Sequence, residues 1–167
     1  AMWIEALVVL GRPAEGSASQ RGVQPPTSSD FDGRPAILRC IPPKAREELP
    51  PQLGVCCLPT GIQRKPYHHR SLNKYYEQYN IILTDSTGRK TYGYCCTFYD
   101  VCAEPGEGGP AEDDFAYTKC LCLISKDPLY DTFEALVRVA HRCCFAQRSV
   151  LGCDYGALRD LVLLSLI

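Results

Sequence analysis

Eleven cysteines and three histidines are the residues of this 167-residue chain best suited to chemistry. Thiolates and imidazoles bind soft metals and act as nucleophiles or bases. Six of the cysteines, Cys56, Cys57, Cys95, Cys96, Cys120 and Cys122, lie within runs of Val, Leu, Ile, Tyr and Phe. A structural zinc site ordinarily uses two pairs of the C-x₂₋₄-C kind, whereas these occur as Cys-Cys and Cys-Leu-Cys. Adjacent strand residues point to opposite faces, so Cys56 and Cys57 are not expected to share an ion. The odd count and the apolar surroundings argue against a disulfide framework. They favour free thiols that act as small hydrophobes in a reducing compartment. Packing is therefore the expected role, with no metal and no cofactor. A zinc or thiol-active domain is the competing reading.

His68-His69 beside Arg70 has the residue types of a metal or acid–base site, but neighbouring histidines need a third ligand from elsewhere. Only His141 remains as another histidine, and an exposed polar loop is favoured. Cys143-Cys144 near His141 and Arg142 could hold a stabilised thiolate, yet a pair beside an apolar helical stripe is expected to pack. Gly106-Glu-Gly-Gly-Pro110 has glycines but no following Lys, and its acidic setting repels phosphate. The sequence contains no phosphate loop, nucleophile elbow, His-Glu-x-x-His pair or dinucleotide-binding turn. No catalytic side chain is expected.

The whole chain agrees with a binding role. Apolar residues make up 46% and charged residues 22%, and a formal net charge of −1 gives no basis for holding nucleic acid by bulk charge. The apolar runs 3–10 and 161–167 fall short of the roughly 20 residues that cross a bilayer. Together with the reduced cysteines, this reads as a cytoplasmic chain.

Strands must position most of these residues. Residues 3–10, 35–41, 54–58 and 117–124 are short apolar runs punctuated by Gly and Pro, and each reads as a strand. Residues 79–84 and 89–99 flank Asp85-Ser-Thr-Gly88, which predicts a hairpin whose turn ends on glycine. Segment 62–78 reads as a loop or short edge. Segments 11–34 and 100–115 are Gly- and Pro-rich loops. Asp127 followed by Pro128 predicts a helix start, and Leu129, Phe133, Leu136, Val137, Ala140 and Cys144 form one stripe of a helix over 128–145. Residues 146–167 form an apolar segment that reads as the truncated start of a following region.

The order of these blocks resembles the upstream lobe of a DENN domain over residues 1–145. The resemblance rests on Cys57-Leu58-Pro59 with Gly61, on Leu83-Thr84-Asp85, Gly88-Arg89 and Tyr92-Gly93, and on Cys122-Leu123-Ile124-Ser125 with Pro128 and Phe133. It implies an α+β, longin-like fold, an antiparallel sheet of about five strands with packed helices. It also implies part of a guanine-nucleotide exchange factor, binding a Rab-family small GTPase together with the downstream DENN lobe of the full-length protein. Peripheral recruitment to vesicle or endosomal membranes would follow, with no nucleic acid, no cofactor and no side-chain catalysis. Exchange would need the missing downstream lobe. The alternative is a non-catalytic longin-like scaffold in a trafficking or signalling complex. Of the motif residues, Cys57, Pro59, Gly61, Leu83, Asp85, Gly88, Tyr92, Gly93 and Pro128 are expected to maintain the fold. Tyr130, Glu134 and Arg138, on the outer side of the helix, are the candidate partner contacts.

Overall fold

Successive side chains of a strand point to opposite faces, and this chain uses that alternation to build two cores, one on each side of a six-stranded sheet. The computed structural model describes residues 4–13, 33–66, 76–101 and 115–142. In chain order the elements are β1 (Ala6–Gly11), β2 (Ala36–Ile41), a 3₁₀ helix (Pro43–Glu48), α1 (Leu53–Cys57), β3 (Arg64–Pro66), β4 (Glu77–Thr84), β5 (Lys90–Val101), β6 (Phe115–Ser125) and α2 (Tyr130–His141). The strand order is β2-β1-β6-β5-β4, and every pairing is antiparallel. β1 pairs with Cys120–Ile124 of β6, and β3 pairs with Phe115–Tyr117 farther along the same edge. The sixth strand is thus the three-residue β3, within the segment read from sequence as a loop or short edge.

On one face, Leu7 and Val9, Tyr94, Cys96 and Phe98, and Leu121 and Leu123 pack against Phe133, Val137 and Ala140 of α2. On the other, Val8 and Leu10, Cys95, and Cys120, Cys122 and Ile124 pack against Leu53, Cys57 and Leu58 in and after α1. The side chains of these positions are almost entirely removed from water. This α+β, longin-like arrangement agrees with the expected fold class.

Two local expectations are corrected. Residues 54–58 are not a strand. Leu53 N–H donates to the Pro50 carbonyl at 3.0 Å, Cys56 N–H to Gln52 at 3.1 Å and Leu58 N–H to Gly54 at 2.9 Å, closing helical turns over the run. A five-residue apolar run carries no period that separates a strand from a buried helix. Asp127 is not the N-cap of α2 either; Leu129 holds that position without a side-chain cap. The Asp127 amide instead donates to Ser125 Oγ at 3.0 Å, and its carbonyl accepts from Tyr94 Oη at 3.0 Å. The helix therefore begins at Tyr130, two residues later than expected.

The expected loops lie mainly outside the described residues, as do His68, His69, Arg70, Gly106–Pro110, Cys143, Cys144 and the segment 146–167. Among the described residues no helix is long and apolar enough to cross a membrane.

Candidate functional site

A helix residue meets its neighbours three and four positions away, which places Tyr130, Glu134 and Arg138 along one line of α2. Arg138 Nη2 pairs with Glu134 Oε1 at 3.0 Å. Its Nε and Nη2 also donate to Gln78 Oε1 of β4, at 3.2 and 3.1 Å, and Gln78 Nε2 donates back to the Glu134 carbonyl at 3.1 Å. The helix is thereby tied to β4 through charge-assisted hydrogen bonds, while the Arg138 and Glu134 side chains stay 49% and 45% exposed. Tyr130 stands edge-on to Tyr94 and Tyr92, with ring centroids 5.8 and 6.2 Å apart.

β4 is an edge strand, with β5 as its only strand partner among the described residues. Its even-numbered residues share the α2 side of the sheet, and Ile82 there is 53% exposed. A cleft of about 80 Å³ lies between Gln78 and Asn80 of β4 and Glu134 and Val137 of α2. The strip from Tyr130 to Arg138, with Gln78, Asn80 and Ile82, combines apolar surface with an oriented charged pair. That combination suits a protein contact better than a small-molecule site.

The motif residues lie in turns and packing. Cys57 closes α1, and the Leu58 carbonyl accepts from Gly61 N–H at 2.9 Å across Pro59. Gly61 has φ +70°, and a Cβ there would stand 2.8 Å from the Gly33 carbonyl oxygen. Leu83 is buried on the α1 side. In the hairpin turn, Asp85 accepts from Thr87 Oγ1 at 2.6 Å, Thr87 N–H at 2.8 Å and Arg89 N–H at 2.9 Å. These bonds, the Thr87 hydroxyl first, hold its carboxyl below the usual range. Gly88 follows with φ +83°. Tyr92 lies partly buried against the α2-side core, Gly93 is buried beside Ile81, and Pro128 is exposed ahead of α2.

Residues 35–98 match the family model of the uDENN domain, a span that contains the motif residues from Cys57 to Gly93. Over that span the chain is similar to the DENN family. The DENN domain and WD repeat-containing protein SCD1 of Arabidopsis thaliana is 29% identical over 118 residues. That alignment covers 67% of this chain and 10% of the relative, so the chain spans about a tenth of SCD1's length. No solved structure matches it significantly.

A feature that spacing rules do not reveal lies on the α1 side of the sheet. Cys57, Cys95 and Cys122 bring their Sγ atoms within 4.8 Å of one another. Cys57 and Cys95 are 3.6 Å apart and Cys95 and Cys122 are 3.4 Å apart, all buried. Cys120 also meets Cys57 and Cys95. Hydrogen bonds from Cys120, Cys122 and Cys95 lower the Cys57 thiol because they stabilise a thiolate. Hydrogen bonding raises the other three, reinforced by burial. Tyr79 Oη donates to the Cys57 carbonyl, tying α1 to β4. The sequence signal that was available is Cys-Leu-Cys, which puts Cys120 and Cys122 on one face of β6. Cys57 reaches them from the end of α1, a placement that no spacing in the sequence marks.

The opposite side holds two buried ionisable sites. Lys119 pairs with Asp100 across β5 and β6. His141 lies between the rings of Tyr76 and Phe98, with centroids 4.8 and 4.6 Å away, and burial lowers its pKa to about 4 against the opposing influence of Asp100.

Proposed function

We propose that the chain is part of a guanine-nucleotide exchange factor for a Rab-type small GTPase, and that α2 with the exposed side of β4 supplies one of its GTPase contacts. The match to the uDENN domain over residues 35–98 carries this reading. The strip formed by Tyr130, Glu134, Arg138, Gln78 and Ile82 supports it, because a pre-oriented Arg beside exposed aromatic and aliphatic groups has the makings of a binding anchor.

Exchange by such a surface is a matter of differential affinity. A partner that binds the nucleotide-poor form of a GTPase more tightly than the nucleotide-bound form shifts the population towards release. No side chain of this lobe needs to make or break a bond. The downstream DENN lobe supplies the second half of the contact, and the two act together because the second engagement is intramolecular. Recruitment to vesicle or endosomal membranes would follow from the partner.

Release of a fluorescent GDP analogue from a panel of Rab GTPases tests the reading, with this chain alone and with a version extended through the downstream lobe. Acceleration by the extended version on at least one Rab supports exchange. Binding of a Rab without acceleration by either version favours the longin-like scaffold.

A further inference from the structure

We propose that Cys57, Cys95 and Cys122 form a zinc site, with Cys120, which meets Cys57 and Cys95, as the donor for a fourth position. The ligands come from three elements: Cys57 from the end of α1, Cys95 from β5 and Cys122 from β6. Their sulfurs already converge, with two separations of 3.4 and 3.6 Å and all three within 4.8 Å. A tetrahedral zinc thiolate site has Zn–S near 2.3 Å, which sets S···S at about 3.8 Å. The Cys57–Cys95 and Cys95–Cys122 pairs therefore lie a few tenths of an ångström inside that spacing, and the third pair lies within 4.8 Å. Thiolate donors select Zn²⁺ or Cu⁺ over hard cations, and zinc suits a set that offers a fourth sulfur.

The surroundings fit a closed structural site. The four cysteines are 0 to 2% exposed, and Cys122 Sγ lies 3.2 Å from where a Cβ of residue 93 would be, so glycine there leaves the sulfur room. A cleft of about 390 Å³ lined by Cys57, Leu58, Tyr79 and Thr118 reaches the edge of the group from solvent and gives a route of entry. Each ligand releases its thiol proton to water on binding. Three thiolates around Zn²⁺ release three protons and leave one net negative charge, and affinity falls as pH falls. Cys96, buried on the other face of the same strand, takes no part.

The test uses the full chain, purified in a non-chelating reductant, with metal content by mass spectrometry and anaerobic Co²⁺ titration of the fully reduced, metal-free chain. The expected result is about one zinc per chain and a thiolate-to-cobalt charge-transfer band of an intensity fitting three or four sulfurs. Cys57→Ser and Cys122→Ser should lose the metal, and Cys96→Ala should keep it. The cobalt spectrum of the unaltered chain stands even if a variant fails to fold. Zinc below about a tenth of an equivalent with no cobalt–thiolate band would overturn the proposal. So would zinc that persists unchanged in both serine variants, since the ion would then sit elsewhere.

Discussion

Ile81 of β4 lies so close to Gly93 of β5 that a Cβ at residue 93 would stand 2.6 Å from Ile81 Cγ1. The two residues are direct cross-strand partners on the face that also carries Cys122. A packed interior responds to an added methyl by forcing neighbours off their rotamers. Gly93→Ala should therefore lower stability by about 1–3 kcal/mol in urea unfolding. Recovery of stability in the double variant Gly93→Ala with Ile81→Val would show that this contact is the cause.

Gly61 and Gly88 make a graded pair. Both have positive φ, +70° and +83°, which costs an L side chain about 1 kcal/mol. A Cβ at Gly88 meets open space, whereas one at Gly61 meets the Gly33 carbonyl oxygen at 2.8 Å. Gly61→Ala should thus destabilise clearly more than Gly88→Ala, whose cost should stay near about 1 kcal/mol. Equal melting shifts would contradict the Gly33 contact.

The hairpin, the core helix and the strands at β1 and β6 were legible because each rests on local chemistry. Asp85 and Gly88 specify a turn by themselves, and Phe133, Val137 and Ala140 repeat with the helix. What was not legible depends on partners distant in the chain. Leu53–Cys57 folds as a helix because Pro50 and Gln52 close its turns and Leu53 and Cys57 find cover under the sheet. No periodicity records that. The convergence of Cys57 with Cys95 and Cys122 likewise needs β5 and β6 to be neighbours, and the strand order cannot be read from pattern. Asp127 lost its expected capping role to its own backbone, which Tyr94 and Ser125 both use.

His141 should make stability depend on pH. Its folded pKa of about 4 lies below its ordinary value of 6.5, so the unfolded chain takes up the proton more readily. The stabilisation is fully present above about pH 6.5 and is lost as pH falls towards 4, an effect of up to about 2 kcal/mol after allowing for solvent screening. His141→Phe retains rings against Tyr76 and Phe98 and should flatten the curve between those limits. Chemical unfolding at a series of pH values measures both slopes, and parallel curves would rule the histidine out as the source.

Phe133 is 1% exposed and contacts Tyr94 at a centroid distance of 4.9 Å. Truncation to Ala should cost about 3–5 kcal/mol, enough to unfold a marginal domain. A loss under 1 kcal/mol by calorimetry would mean that α2 is not docked on the sheet as described.

On the proposed GTPase surface, Arg138→Glu should reduce the extended protein's stimulation of GDP release from the Rab at least tenfold, which is about 1.4 kcal/mol of binding. The same substitution removes the two bonds to Gln78 and sets a like charge beside Glu134, so the melting temperature should fall by several degrees, about 1–2 kcal/mol, and exchange is compared well below the transition. Unchanged exchange by a well-folded Arg138→Glu protein would move the contact away from α2.

The position of β1 has a consequence for biosynthesis. β1 is first in sequence order among the described strands but lies between β2 and β6, and Ala6 pairs with Ile124, which is 124 − 6 = 118 residues later. At roughly 5–20 residues per second, translation leaves β1 waiting about 6–24 s for that neighbour. During that interval β2 can occupy one of its edges, while the other exposes Leu7, Val8 and Val9 with unpaired backbone groups. The sheet can close only after β6 has emerged from the exit tunnel.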